Sequence, residues 1–175
     1  FITDAVISRY FNDLEAYYNG TITTDNNAIY RTAYVIRQRL YEVLQKHRND
    51  KIMLISHSMG SVIAFDVLTF LARDIRINTL VTMGSPLGLP VVISKIAAEQ
   101  KQRGIYEGRV TTPPGVVGNW YNFSDILDKV AFNYRLSDYF NENEAGVRPV
   151  DFLVVNDYEA HGIRKPPADT ISMPE

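Results

Sequence analysis

The chain has 175 residues, enough for one domain with a sizeable core, and its 46% apolar and 22% charged residues are ordinary for a globular protein. A net charge of −2 supplies no basic face for nucleic acid or for an anionic membrane. The absence of cysteine excludes a disulfide scaffold, a thiol nucleophile and a thiolate-bound metal.

No apolar run approaches the roughly 20 residues that span a bilayer; the longest, 61–72, is interrupted by Asp66 and Thr69. No signal peptide is visible, so a cytoplasmic location is the default expectation. The chain nevertheless starts at Phe1, inside a helical pattern, which suggests a fragment or a processed product that has lost a leading segment.

In chain order, apolar residues at Val6, Ile7, Tyr10, Phe11, Leu14, Tyr17 and Tyr18 predict an amphipathic helix over 2–18. Asn19-Gly20 stops it, and a polar loop follows in which Asp25 or Asn26 is placed to cap a second helix running to about His47. Asn49-Asp50 turns into a strand over 51–55. A helix over 61–73, a buried strand over 77–83, a loop over 84–90 and a helix over 91–103 come next. The Gly- and Pro-rich stretch 104–118 reads as irregular. A strand over 119–123 precedes a short helix after Asp125, and a last strand covers 150–155. The tail 163–175 is polar and Pro-rich and is expected to be poorly ordered.

Strands that are apolar throughout and alternate with helices indicate a parallel sheet covered on both faces. No repeat, low-complexity block or linker divides the chain, so 1–175 reads as a single α/β domain.

The apolar run Ile52-Met53-Leu54-Ile55 breaks at Ser56-His57-Ser58-Met59-Gly60, and a helical pattern begins at once. So abrupt a reversal forces its central residue into a strained turn that lifts the Ser58 side chain clear of the backbone. This segment resembles the nucleophile elbow of the α/β-hydrolases, with Ser56 where that family usually has its first glycine. The stretch from Thr79 to Gly88 is similar to the strand and loop after the elbow in lipase-like and esterase-like members. Asn119 to Ala131 is similar to their acid-bearing strand and loop. The resemblance implies a three-layer α/β/α fold with a mostly parallel sheet, and an esterase or lipase-like activity.

A serine hydroxyl needs an imidazole to take its proton. Of the three histidines, His47 ends a helix where a cation suits the dipole. His57 is adjacent to Ser58 and should point away from it. His161 follows the acid-bearing segment, as in the family order Ser, Asp or Glu, His, and is the candidate base. In related esterase-like sequences that histidine can also sit further along, so a base beyond this chain is the second option. Asp128 is the preferred acid and Asp125 the alternative, which otherwise reads as a helix cap. Asp151 and Asp157 are weaker choices.

Met59 should supply one oxyanion-binding N–H from the start of a helix. The family's second donor comes from an upstream loop that this chain does not contain, so the chain reads as the C-terminal two-thirds of a complete domain. Missing strands would leave a sheet edge open for association. Gly84 to Gly88 lies where substrate would pass, and Trp120 and the tyrosines suit an aromatic core more than an acyl pocket.

Metal-ligand spacing, a phosphate loop and a dinucleotide fingerprint are all missing, so no cofactor is expected. The expected substrate is a small-molecule or lipid ester. A catalytically silent module of the same fold, and an acyltransferase or thioesterase with the same triad, are the alternatives.

Overall fold

A computed structural model of the chain describes residues 2–23, 27–106, 108–125 and 135–154. Helix α1 (Ile2–Asn19) leads into an antiparallel hairpin of β1 (Thr21–Thr23) and β2 (Ile29–Arg31), with Thr21 opposite Arg31. Helix α2 (Thr32–Lys46) follows directly. Asp25 and Asn26, the expected caps, lie outside the described residues; the N-cap is Arg31, in extended geometry and with no side-chain cap. Thr-Ile-Thr and Ile-Tyr-Arg are β-formers, but three residues are too few to show a period.

Strand β3 (Ile52–His57) runs into α3 (Met59–Phe70), and β4 (Ile77–Met83) into a 3-10 turn at Pro86–Gly88 and then α4 (Pro90–Gln102). The stretch expected to be irregular holds β5 (Val110–Thr111) and the start of β6 (Val116–Asp125). Gly118 ends the stretch expected to be irregular, yet it lies inside β6. A Cβ there would sit 2.1 Å from the Asn78 carbonyl oxygen, so glycine marks a close approach of two strands rather than a turn. A 3-10 turn at Leu136–Asp138, β7 (Phe140–Asn141) and β8 (Pro149–Val154) complete the described elements.

Strands β3, β4, β6 and β8 form one sheet in that order, and every pair is parallel. The fold is thus of the α/β-hydrolase type, a parallel sheet flanked by helices. Strands β5 and β7 pair separately, also parallel.

Parallel neighbours must be joined by crossovers, and α3 and α4 supply those from β3 to β4 and from β4 to β6. On one side of the sheet Leu80, Thr82, Trp120 and Asn122 are buried. Trp120 packs there with Phe65 of α3 and Phe140 of β7, ring centroids 5.2 to 6.1 Å apart. The opposite side is built from Met53, Ile55, Met83 and Val150, all exposed, with Val81, Tyr121, Phe123 and Phe152 half-buried among them. Among the described residues the four α-helices lie on the first side only. The apolar second side has the composition that a covering layer requires.

A buried ionic cluster holds the helices together. The Arg37 guanidinium of α2 donates to Asp66 of α3 (2.7 Å), to Glu99 of α4 (2.8 Å) and to the Tyr17 hydroxyl of α1 (2.9 Å). Tyr17 in turn donates to Asp66 at 2.8 Å. One arginine therefore contacts all three other helices, and such a network cannot straddle a sheet. Burial pushes the Asp66 carboxyl up to about 6, against the opposing pull of Arg37 and Tyr17. Its Oδ1 has no hydrogen-bond partner among the described residues. Burial also raises Glu99, but its hydrogen bonds from Arg37 and Arg103 outweigh this and hold it below the usual carboxylate range.

Candidate active site

The end of β3 is continued into the elbow by the Ser58 N–H, which donates to the Met83 carbonyl at 2.9 Å. Ser58 then takes φ 51° and ψ −128°, one of two described non-glycine residues with positive φ, and α3 starts at the next residue. A β-carbon in that region costs on the order of 1–3 kcal/mol, so the surroundings must impose it. The strain predicted from the sequence is present. The Ser58 side chain is half-buried, and its hydroxyl has no hydrogen-bond partner among the described residues. Met59 is the first residue of α3, and its N–H is one of the first-turn amides that lack an acceptor within a helix.

Ser56 turns toward the helices, is buried and donates to the Val81 carbonyl at 3.1 Å. A small polar side chain thus fits where the elbow pattern has glycine, because the next strand satisfies its hydroxyl. On the other flank space is not limiting: a Cβ at Gly60 would meet nothing within 4 Å.

Two serines stand behind the elbow: Ser61, which the sequence reading did not single out, and Ser85, which it placed only in the loop where substrate would pass. The fully buried Ser61 donates its hydroxyl to the Ser58 carbonyl at 2.5 Å, and its N–H reaches the same oxygen at 2.9 Å. The Ser61 and Ser85 hydroxyls are 2.8 Å apart, and Ser85 accepts from the Leu87 N–H at 3.3 Å. Ser85 precedes the 3-10 turn that follows β4. The spacing Ser58-x-x-Ser61 at a helix start was a visible signal, since capping partners lie three residues apart. The Ser61–Ser85 contact is tertiary and left none.

Asp125 closes β6 at the same carboxyl edge of the sheet, half-buried and in register with Val154. Asp128 and His161 lie outside the described residues. His57 is the exposed last residue of β3. His47 sits at the C-cap of α2, with Nδ1 2.8 Å from Asp50, where the chain is about to enter β3. That is the amino edge of the sheet, away from Ser58.

Trp120 is core, as expected: it is fully buried, and its indole N–H donates to Thr82 Oγ1 at 3.1 Å. Asp151 is committed to structure. Its two carboxylate oxygens accept from the N–H groups of Leu136 and Ser137, each at 2.9 Å, and Oδ1 also accepts from Asn122 at 2.8 Å. It clamps the turn at 136–138 onto β8. Among the described residues no three or more His, Asp or Glu side chains gather as a metal site.

The model of the family described as "PGAP1-like alpha/beta domain" matches residues 8–107, more than half of the chain. The match covers the elbow and its strand, while Asp125, Asp128 and His161 lie beyond it. None of the curated proteins and none of the solved structures matches the chain.

Proposed function

The chain belongs to the PGAP1-like alpha/beta domain family, an α/β-hydrolase-like family, and from that premise we propose that it is a serine hydrolase of carboxylic esters. The observation that carries this reading is the backbone of Ser58. A non-glycine residue is held at positive φ between a parallel strand and a helix, half-buried at the carboxyl edge of a sheet, where open α/β sheets bind ligands.

Ser58 Oγ attacks the ester carbonyl while the His161 imidazole takes its proton. The tetrahedral oxyanion accepts a hydrogen bond from the Met59 N–H, at the positive end of α3. The intermediate collapses by breaking the bond to the alkoxy oxygen, which leaves as the alcohol with the proton from His161. Water, activated by the same imidazole, then attacks the acyl-Ser58 carbonyl, and release of the acid restores the hydroxyl. Asp128, or Asp125 in its place, holds the imidazole and stabilises its protonated form.

Chain geometry is compatible with these roles. The four strands are parallel, so β3, β6 and β8 end on one edge. The step from β8 to β3 is three strand spacings, about 14 Å. His161 follows Val154 by seven positions, which span at most about 25 Å. Asp128 follows Asp125 by three positions, about 10 Å of chain, against two strand spacings of similar length.

The test is covalent labelling with a fluorophosphonate, together with hydrolysis of p-nitrophenyl butyrate. Labelling that Ser58→Ala abolishes, and turnover that His161→Ala lowers by about 10³-fold or more, are expected. A folded protein that neither labels nor turns over would instead be a silent binding module of the same fold.

A further inference from the structure

We infer that Ser61 and Ser85 are positioning residues that fix the direction of the Met59 N–H, and so aim the oxyanion donor of the reading proposed above, on which this inference rests. The peptide bond joining Ser58 to Met59 is planar and trans. The Ser58 carbonyl and the Met59 N–H therefore belong to one rigid plate and point in opposite directions. Holding the oxygen holds the amide.

The oxygen is held twice, by the Ser61 N–H at 2.9 Å and by the Ser61 hydroxyl at 2.5 Å. A carbonyl only accepts, so the single Ser61 proton is spent on it. At the 2.8 Å contact Ser85 must then be the donor and Ser61 the acceptor. Ser85 in turn accepts from the Leu87 N–H, which cannot reverse. A backbone amide at one end and a carbonyl at the other leave the two hydroxyls one proton arrangement.

Both side chains are shielded from water, Ser61 at 0% and Ser85 at 2% exposure, so no solvent molecule competes for these bonds. The far end of the chain is anchored too. Gly84, next to Ser85, donates its N–H to the Phe123 carbonyl of β6 at 2.9 Å, and Leu87 is fully buried. The tilt of the Ser58–Met59 plate is thus referred through two hydroxyls to the sheet. A nucleophile whose own φ is unfavourable needs such outside support, because relaxation of the elbow would turn this plate first.

Two buried hydroxyls can also bond merely to satisfy one another. What separates the roles is where a loss falls. In Ser61→Ala, kcat for p-nitrophenyl butyrate should fall about 10-fold with KM within twofold of wild type, because the interaction matters when negative charge develops on the carbonyl oxygen. Inhibition by phenylboronic acid, which forms a tetrahedral anionic adduct on the serine, should weaken by a similar factor. Ser85→Ala should show the same pattern at smaller amplitude. The double variant should be no worse than Ser61→Ala, since removing Ser61 already severs the link.

Variants that keep kcat and boronate affinity within twofold, while fluorophosphonate still labels Ser58, would overturn this inference and leave the hydrolase reading standing. Equal losses in KM and kcat would also overturn it, as damage to the site at large. A wild type without Ser58-dependent labelling would remove both.

Discussion

As the proposed nucleophile, Ser58 carries opposed demands: its side chain is needed at a backbone geometry that side chains disfavour. Replacing it should expose that conflict. Ser58→Ala and Ser58→Gly both remove the hydroxyl, but only glycine accepts φ 51° without cost. Glycine already outranks alanine as an N-cap, and the positive φ at this one adds to that preference. Here Ser58→Gly should be more stable than Ser58→Ala by about 1 kcal/mol in urea unfolding, with both devoid of turnover. The acid is decided by a second pair. Asp128→Asn should lower kcat by 10²-fold or more, and Asp125→Asn by less than 10-fold, if Asp128 orients the imidazole. Ser58 was legible because an apolar run, a small flank and a helical period meet at it. Ser61 was legible only as a helix-start serine. Its partner Ser85 was not, because no local pattern announces that a loop 24 positions away will come within hydrogen-bond reach.

Among the helices, the Arg37 cluster shows how stability can hinge on one long side chain. Arg37 is 8% exposed and reaches one side chain on each of three neighbouring helices. Arg37→Met would leave the fully buried Asp66 without a counter-charge and should cost about 3–5 kcal/mol, read as a shift of the urea midpoint. The pH dependence has a definite sign. Asp66 holds a proton up to about pH 6 in the folded chain, above its ordinary range, so its contribution favours the fold at low pH and is lost as pH rises toward 6. Glu99 works oppositely: its lowered value contributes stability above the ordinary carboxylate range and is lost below it. Asp66→Asn should therefore flatten the decline in unfolding free energy between about pH 4 and 6, whatever it does to the absolute height of the curve. Apolar periodicity made α1 and α2 readable, α3 followed from the elbow, and α4 was expected over 91–103. Arg37 itself reads as an ordinary polar-face residue, since its three partners are distant in sequence. The hairpin was hidden by the brevity of its strands, and the start of β6 by Gly118, whose meaning depends on the neighbouring Asn78 backbone.

The sheet divides the molecule into two unequal sides, and substitutions should respect the division. Leu80 faces the helices at 1% exposure, whereas Ile55 on the other side is 57% exposed. Leu80→Ala should cost about 2–5 kcal/mol and Ile55→Ala under about 1 kcal/mol in the same unfolding assay. Parallel pairing was legible from strands that are apolar on both sides and separated by helices. Which side each helix takes was not, because a uniformly apolar strand carries no mark of inside and outside. The carboxyl edge also sets how freely the chemistry can vary. The segment bearing the preferred acid leaves β6 at Asp125 and rejoins described structure at a turn that Asp151 staples to the adjacent strand. With both departures fastened to neighbouring strands, whatever lies between can lengthen, shorten or relocate its carboxylate without disturbing the pleated frame. Evolution would thus find the acid the most interchangeable member of the proposed catalytic set, and the elbow serine the least.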